Sequence, residues 1–224
     1  MGIHRSCMRD PIRDAIVSRI LDGVYPPGTR LKELSLAREF NVSQGPVREA
    51  LRELHALHLV ETEHYRGTRV RSIDLGELRE AYELRLLIEQ AAVRRAVPCA
   101  ASDLDKLDAE LKVMRRTAGD SDFDGYMASV VRFHRQLVAM SGNGIFLRAW
   151  ESMAWDVRAR VAARRAGLIG LGHYTGQRRK IVAALRGGDG KLAAALLGEI
   201  TQRVLQRLAG IEKKATDPKP RVTG

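Results

Sequence analysis

The segment from Asn41 to Ala56 limits what this chain can fold into more than any other. Val47, Ala50, Leu51 and Leu54 recur at i, i+3, i+4 and i+7, the spacing of a helix with one buried face. Gln44, Arg48, Arg52 and His55 fall on another face of the same helix. Asn41-Val42-Ser43 breaks the chain just before it, because Asn tolerates the left-handed backbone. Ser43 is a good N-cap, and Pro46 fits the first turn, where no backbone donor is missed. The pattern predicts a helix over 44–56 behind a tight turn and a shorter helix over 33–40, with Leu36, Ala37 and Phe40 inward. A short helix, a tight turn and a second helix with long donor side chains near its start suit a DNA major groove. Gln can pair bidentately with adenine and Arg with guanine, while the Ser43 hydroxyl and the helix N-terminus favour a phosphate. The competing reading is a small three-helix core with a solvated charged face.

The flanking residues complete a small domain. Ile12, Ile16, Val17 and Ile20 have helical spacing, with Gly23 where that helix should stop. Tyr25-Pro26-Pro27-Gly28 is a rigid turn. Val60–Glu63 and Thr68–Ser72 read as two strands around a turn with His64, Tyr65, Arg66 and Gly67 at its tip, placed to lie along a neighbouring groove or backbone. Three helices and a β-hairpin over 1–73 make a winged helix-turn-helix.

Beyond residue 74 the periodicity is helical throughout. Helices are expected over about 75–97, from Ser102 (as its cap) to Thr117, over 122–140, over 145–166 as one long rod, over 173–186 and over 189–211. Short connections between them imply an all-α six-helix antiparallel bundle over 74–212, whose interior can hold a ligand. The whole chain is then mainly α. The tail over 213–224, with two prolines and mixed charge, is expected to be disordered. Ile73–Gly76 is the natural hinge.

Charge supports an anionic partner but does not locate it. Of the formal +11, residues 1–73 contribute +3 and residues 74–224 contribute +8. Arg158, Arg160, Arg164 and Arg165 form one basic run in the second half, and such a run usually marks a solvated helix face. No apolar stretch approaches the ~20 residues of a membrane span. Cys7 and Cys99 are isolated, and Met1–Asp10 lacks the apolar core of a secretory signal, so a reduced, cytoplasmic protein is expected. There is no nucleophile elbow, phosphate-cradling loop or paired catalytic carboxylates, so no catalytic residues are assigned and an enzyme is not expected.

Pro27-Gly28 with Leu31, Glu33, Leu36-Ala37, Phe40, Val42-Ser43 and, above all, Pro46-Val47-Arg48-Glu49-Ala50-Leu51 resemble the GntR family of transcription regulators. The match runs without gaps over about 9–73. It implies DNA contacts at Lys32, Ser43, Gln44, Gly45, Arg48, His64, Arg66 and Gly67; Arg52 joins them from its place on the polar helix face. Where the family usually has Ser-Arg, this chain has Ser43-Gln44, which implies an operator that differs at the base Gln44 faces. The resemblance also implies a homodimer on a near-palindromic double-stranded DNA operator.

Tyr82-Glu83-Leu84-Arg85 with Glu89, Phe133-His134, Ser141-Gly142-Asn143, Ile181 and Gly188-Asp189 resemble the FCD ligand-binding domain of the FadR-like branch of that family, over about 75–212. Many such domains hold a divalent metal with one Asp and three His. Here the corresponding positions are Val130, His134, Arg178 and Ile200, so one ligand of four remains, and no metal or other cofactor is expected. His173 is a possible second donor. Arg178 stands where a ligand His would be, and an Arg fork grips carboxylate or phosphate. With Arg85 and His134 it forms a candidate site for an anionic effector, an organic acid. The alternatives are an Arg85–Glu89 ion pair, a satisfied core His134 and a solvent-facing Arg178 beside Arg179 and Lys180. The rival function for the whole chain is a sequence-neutral architectural DNA-binding protein.

Overall fold

The computed structural model describes residues 6–63, 67–165 and 171–216. The chain divides after Ile73 into two compact units.

In the first unit, α1 (Ser6–Leu21) buries Ile12, Ile16 and Val17 and ends at Gly23, whose φ of +75° reverses the chain. After β1 (Arg30–Leu31) come α2 (Glu33–Glu39) and α3 (Gln44–Ala56). Asn41 takes a φ of +52° between them, which gives the sharp turn read from the sequence. Val47, Ala50, Leu51 and Leu54 are all buried, and each Val or Leu so buried contributes about 1.5–3 kcal/mol. Arg13 on α1 donates to Glu53 on α3 at 2.7 Å and ties the two helices. Phe40 is only half-buried, less inward than its spacing suggested.

The strands β2 (Val60–Glu63) and β3 (Gly67–Val70) pair antiparallel, with Val60 opposite Val70. β1 adds a third strand, Arg30 opposite Arg69, in the order β1-β3-β2. Two residues carry no alternation that a sequence pattern registers, which is why the sheet read as a hairpin.

The second unit is all helix: α4 (Leu75–Ala96), α5 (Ala101–Gly119), α6 (Phe123–Ala139), α7 (Gly144–Glu151), α8 (Trp155–Arg165), α9 (Leu171–Arg186) and α10 (Gly190–Thr216). Helix α4 packs on α10 and α6, α9 packs on α10 and α5, and α5 packs on α6. At Gly190 an added Cβ would lie 2.9 Å from the Val93 carbonyl, so the start of α10 can approach α4 only as glycine. Asp74, Asp122 and Asn143 cap α4, α6 and α7 through their side chains. Ser102 does not cap α5; that place is held by Ala100, without a side-chain bond.

Three expectations change. The rod expected over 145–166 is two helices, so the bundle has seven among the described residues rather than six. The break at Ser152–Ala154 has no Gly or Pro to announce it: Ala154 adopts a φ of +46°, and Arg158 caps the Met153 carbonyl. The kink swings Trp155 into the core, edge-on to Tyr82 at 4.6 Å. Residues 213–216, expected in a disordered tail, continue α10; residues 217–224 lie outside the described ones. The basic run is a solvated face only in part, with Arg164 exposed. Arg158 is buried and bridges to Glu77 at 2.8 Å, and Arg160 reaches Asp124 at 3.2 Å. Arg165's side chain lies outside the described residues.

Candidate functional site

Two places gather polar side chains that the fold alone does not require. The first is the outward face of α2–α3. Ser43, Gln44 and Gly45 open α3 and are exposed, as are Arg48 and Arg52 on the next turns; Lys32 precedes α2 and is exposed too. Ser43 takes the N-cap position, yet its hydroxyl makes no capping bond, contrary to the cap expected there. Arg48 is gripped bidentately by Glu33 of α2, with Nε at 3.1 Å from both carboxylate oxygens and Nη2 at 2.8 Å from one. Arg52 pairs with Glu49 at 2.7 Å. Gly67 opens β3 at a φ of +81°, and a Cβ there would crowd the Arg30 guanidinium at 3.2 Å. His64 and Arg66 lie outside the described residues.

The second place is a cavity of ≈ 480 Å³ in the helical unit, its open mouth included. Helical spacing brings its walls together. Tyr82 and Arg85 come from α4; Tyr126, Met127 and Val130 from α6; Ala159 and Ala163 from α8; Tyr174 and Arg178 from α9; Ile200 and Val204 from α10. Arg85 and Arg178 are thus set around one space, and the solvent-facing alternative for Arg178 is overturned: it is 6% exposed.

Behind the cavity wall lies a buried polar network. Trp150 donates its indole N–H to Glu89 Oε1 at 3.0 Å, and His134 Nδ1 lies 2.9 Å from Glu89 Oε2. Arg178 Nε donates to His134 Nε2 at 3.4 Å, and its Nη1 donates to the Tyr126 hydroxyl at 3.3 Å. Both contacts fit one tautomer: a neutral imidazole with its proton on Nδ1, given to Glu89, and a lone pair on Nε2, facing Arg178. Burial pushes the His134 pKa down to about 4, with Glu89 opposing, so the ring is neutral near pH 7. Burial acts to raise the pKa of Glu89, but Arg85, His134 and Trp150 more than offset it and hold the carboxylate ionised. Burial also lowers the proton affinity of Arg178, partly countered by Tyr126.

Arg85 is held differently. Its Nη2 donates to Thr201 at 3.1 Å, and its guanidinium carbon sits 4.3 Å from the Trp155 ring and 4.9 Å from that of Tyr82. Its Nε is 3.4 Å from Glu89 but poorly aimed, and it makes no hydrogen bond. The Arg85–Glu89 pair foreseen as an alternative therefore exists, and so does the satisfied core histidine. Both are parts of the cavity wall or its backing rather than substitutes for it.

The positions implied for a metal, 130, 134, 178 and 200, do converge here, but their chemistry does not fit one. Val130 and Ile200 are hydrocarbon, Arg178 is a cation, and the free Nε2 of His134 already faces an N–H donor. Among the described residues no cluster of three His, Cys, Asp or Glu could hold an ion; the side chain of His173 lies outside them. Sequence reasoning missed Tyr126, Tyr174 and Thr201. Tyr126 was within reach, since 126, 130 and 134 share one helix face. Tyr174 and Thr201 lie on helices whose inward face only the packing reveals.

Comparisons with known proteins agree with this division. Residues 9–70 match the model for bacterial regulatory proteins of the gntR family, and residues 80–203 match the FCD domain. A protein named probable D-xylose utilization operon transcriptional repressor, from Paenarthrobacter nicotinovorans, is 34% identical over 191 residues, 85% of this chain and 84% of its own. The gluconate operon transcriptional repressor of Bacillus licheniformis is 31% identical over 60% of this chain and 56% of its own. Among solved structures, a GntR transcriptional regulator of Rhodococcus sp. RHA1 superposes with a TM-score of 0.74 at 24% identity, over 90% of this chain and 97% of its own; it shares the fold.

Proposed function

The chain belongs to the GntR family of DNA-binding transcriptional regulators and carries an FCD effector-binding domain, and from that premise we propose that a small organic anion sets its affinity for a specific operator. The carrying observation is the cavity of the helical unit, where Arg178 has no carboxylate within ion-pair distance among the described residues. A buried guanidinium left without a counter-ion is costly, and a ligand carboxylate entering the cavity supplies one with bidentate geometry. Arg85 adds a second positive charge, and His134 fixes the Arg178 fork from behind. The effector is an organic acid; whether from a sugar or not, its charge is the feature recognised.

Operator recognition falls to Gln44, Gly45, Arg48 and Arg52 on α3, with Ser43 and Lys32 toward the phosphates and the wing around His64, Arg66 and Gly67 alongside. Two copies of α3 in a homodimer read the two halves of a near-palindrome. Effector and operator influence one another only if they favour different placements of the two units about Ile73–Gly76. No helix among the described residues is long and apolar enough to cross a membrane.

Selection of bound sites from random duplex DNA tests the operator reading. The parent protein should enrich a two-fold symmetric site, favoured by about 10³-fold or more over random duplex. Arg48→Ala should weaken binding to that site by about tenfold to a hundredfold. Enrichment of no sequence at all would return the protein to the architectural reading.

A further inference from the structure

We infer, as a refinement that rests on the anionic-effector reading, that the cavity selects a monocarboxylate with an apolar body over dicarboxylates and polyhydroxylated acids.

The first observation is the balance of charge. Two guanidiniums, Arg85 and Arg178, share the buried cluster with one carboxylate, Glu89, while His134 is neutral. One positive charge is left over. A single ligand carboxylate cancels it. A second would leave the cluster with an uncompensated negative charge among groups that are all nearly out of water, and buried charge without a partner is strongly disfavoured. Among the described lining residues there is no third cation to meet it.

The second observation is what faces the rest of the ligand. Away from the guanidiniums the walls are Met127, Val130, Ala159, Ala163, Ile200 and Val204, from three different helices. Val130 and Ile200 are two of the four positions where a metal-binding arrangement would need polar donors, and here they present branched hydrocarbon. The Tyr126 hydroxyl is already engaged by Arg178 and by Thr175, whose Oγ1 lies 3.4 Å away. A hydroxyl-bearing ligand carbon set against these walls would bury a donor and an acceptor without partners, whereas a methylene there gains contact and loses water.

Titration calorimetry on the full chain with four six-carbon probes separates these terms: hexanoate, adipate, gluconate and hexanamide. Hexanoate should bind at least about tenfold more tightly than adipate or gluconate, and hexanamide should bind more weakly than hexanoate. Adipate or gluconate binding as tightly as hexanoate overturns the inference and leaves an anionic effector standing. Hexanamide matching hexanoate overturns the anionic reading itself. No heat from any of the four up to about 10 mM overturns both. In Arg178→Met, hexanoate should lose its advantage over hexanamide, and a retained advantage counts against Arg178 as the anchor. Should that variant fail to fold, Val130→Thr keeps nearly the same shape while adding one hydroxyl to the wall. It should narrow the preference for hexanoate over gluconate, and an unchanged ratio counts against the apolar-body argument.

Discussion

Two Arg–Glu pairs in this molecule share their chemistry and differ in everything else. Arg48 and Glu33 meet on the exposed face of the helix-turn-helix with three contacts of 2.8–3.1 Å. Arg85 and Glu89 lie buried in the helical bundle, 3.4 Å apart and badly aligned. Geometry alone would rank the first pair as the stronger. Solvent reverses the ranking: water screens the exposed pair and replaces either partner at little cost, while the buried groups have only their fixed protein partners and no water to take the place of a lost one. An exposed pair can be exchanged for a DNA phosphate or base edge. A buried, unevenly balanced cluster keeps a standing demand for a ligand charge. Under the proposed function, reading DNA and sensing a metabolite would draw on one residue chemistry under two dielectric conditions.

The contrast is open to attack at several points. The largest effect is expected at Glu89. Glu89→Gln leaves Arg85 and Arg178 together without any carboxylate, and urea unfolding of the full chain should show a loss of about 3–5 kcal/mol. A loss too small to measure would mean that the cluster is wetter than its burial indicates.

Next is the pH dependence of His134. Its pKa in the fold, about 4, lies below the ordinary value of 6.5, so the unfolded chain binds the extra proton first as pH falls. Its contribution is therefore complete above about 6.5, declines through the window from 6.5 to 4, and is gone below it. The difference amounts to roughly 3 kcal/mol. Stability measured across that window should fall more steeply for the parent than for His134→Gln, and parallel curves would remove the neutral-imidazole assignment.

Gln44 sharpens the exposed side of the comparison. Gln44→Arg should shift the preferred base at the facing position toward guanine by about tenfold to a hundredfold in site selection, while unfolding is unaffected. Smallest of all is Glu33→Gln. Breaking that well-formed pair should leave unfolding unchanged within error, because both partners remain solvated. A clear destabilisation there would erase the distinction drawn between the two pairs.

The DNA-binding unit was almost fully legible as sequence. Its signals are local: the i, i+3, i+4, i+7 stripe of α3, Asn41 at a left-handed turn, Gly23 after α1. Each is decided by neighbours within one or two helical turns. The bundle's helix ends were legible for the same reason wherever Asp74, Asp122, Asn143 or a proline marked them. The break between α7 and α8 was not, since Ser152, Met153 and Ala154 carry no local signal against continuing the helix; packing Trp155 against Tyr82 and Arg85 imposes it.

What the sequence determined by itself was the class of most elements, the exposed polar face of α3, and the loss of three of four implied metal ligands, because residue type and short-range spacing suffice for each. What only the tertiary structure decided was that Arg178 turns inward, that Arg85 finds one partner in Glu89 and another in Thr201 on α10, and that a neutral His134 spans Glu89 and Arg178. Those facts join residues up to 116 positions apart. The sign and strength of their charges depend on how completely the surrounding helices exclude water, a property of the packed bundle rather than of any stretch of chain.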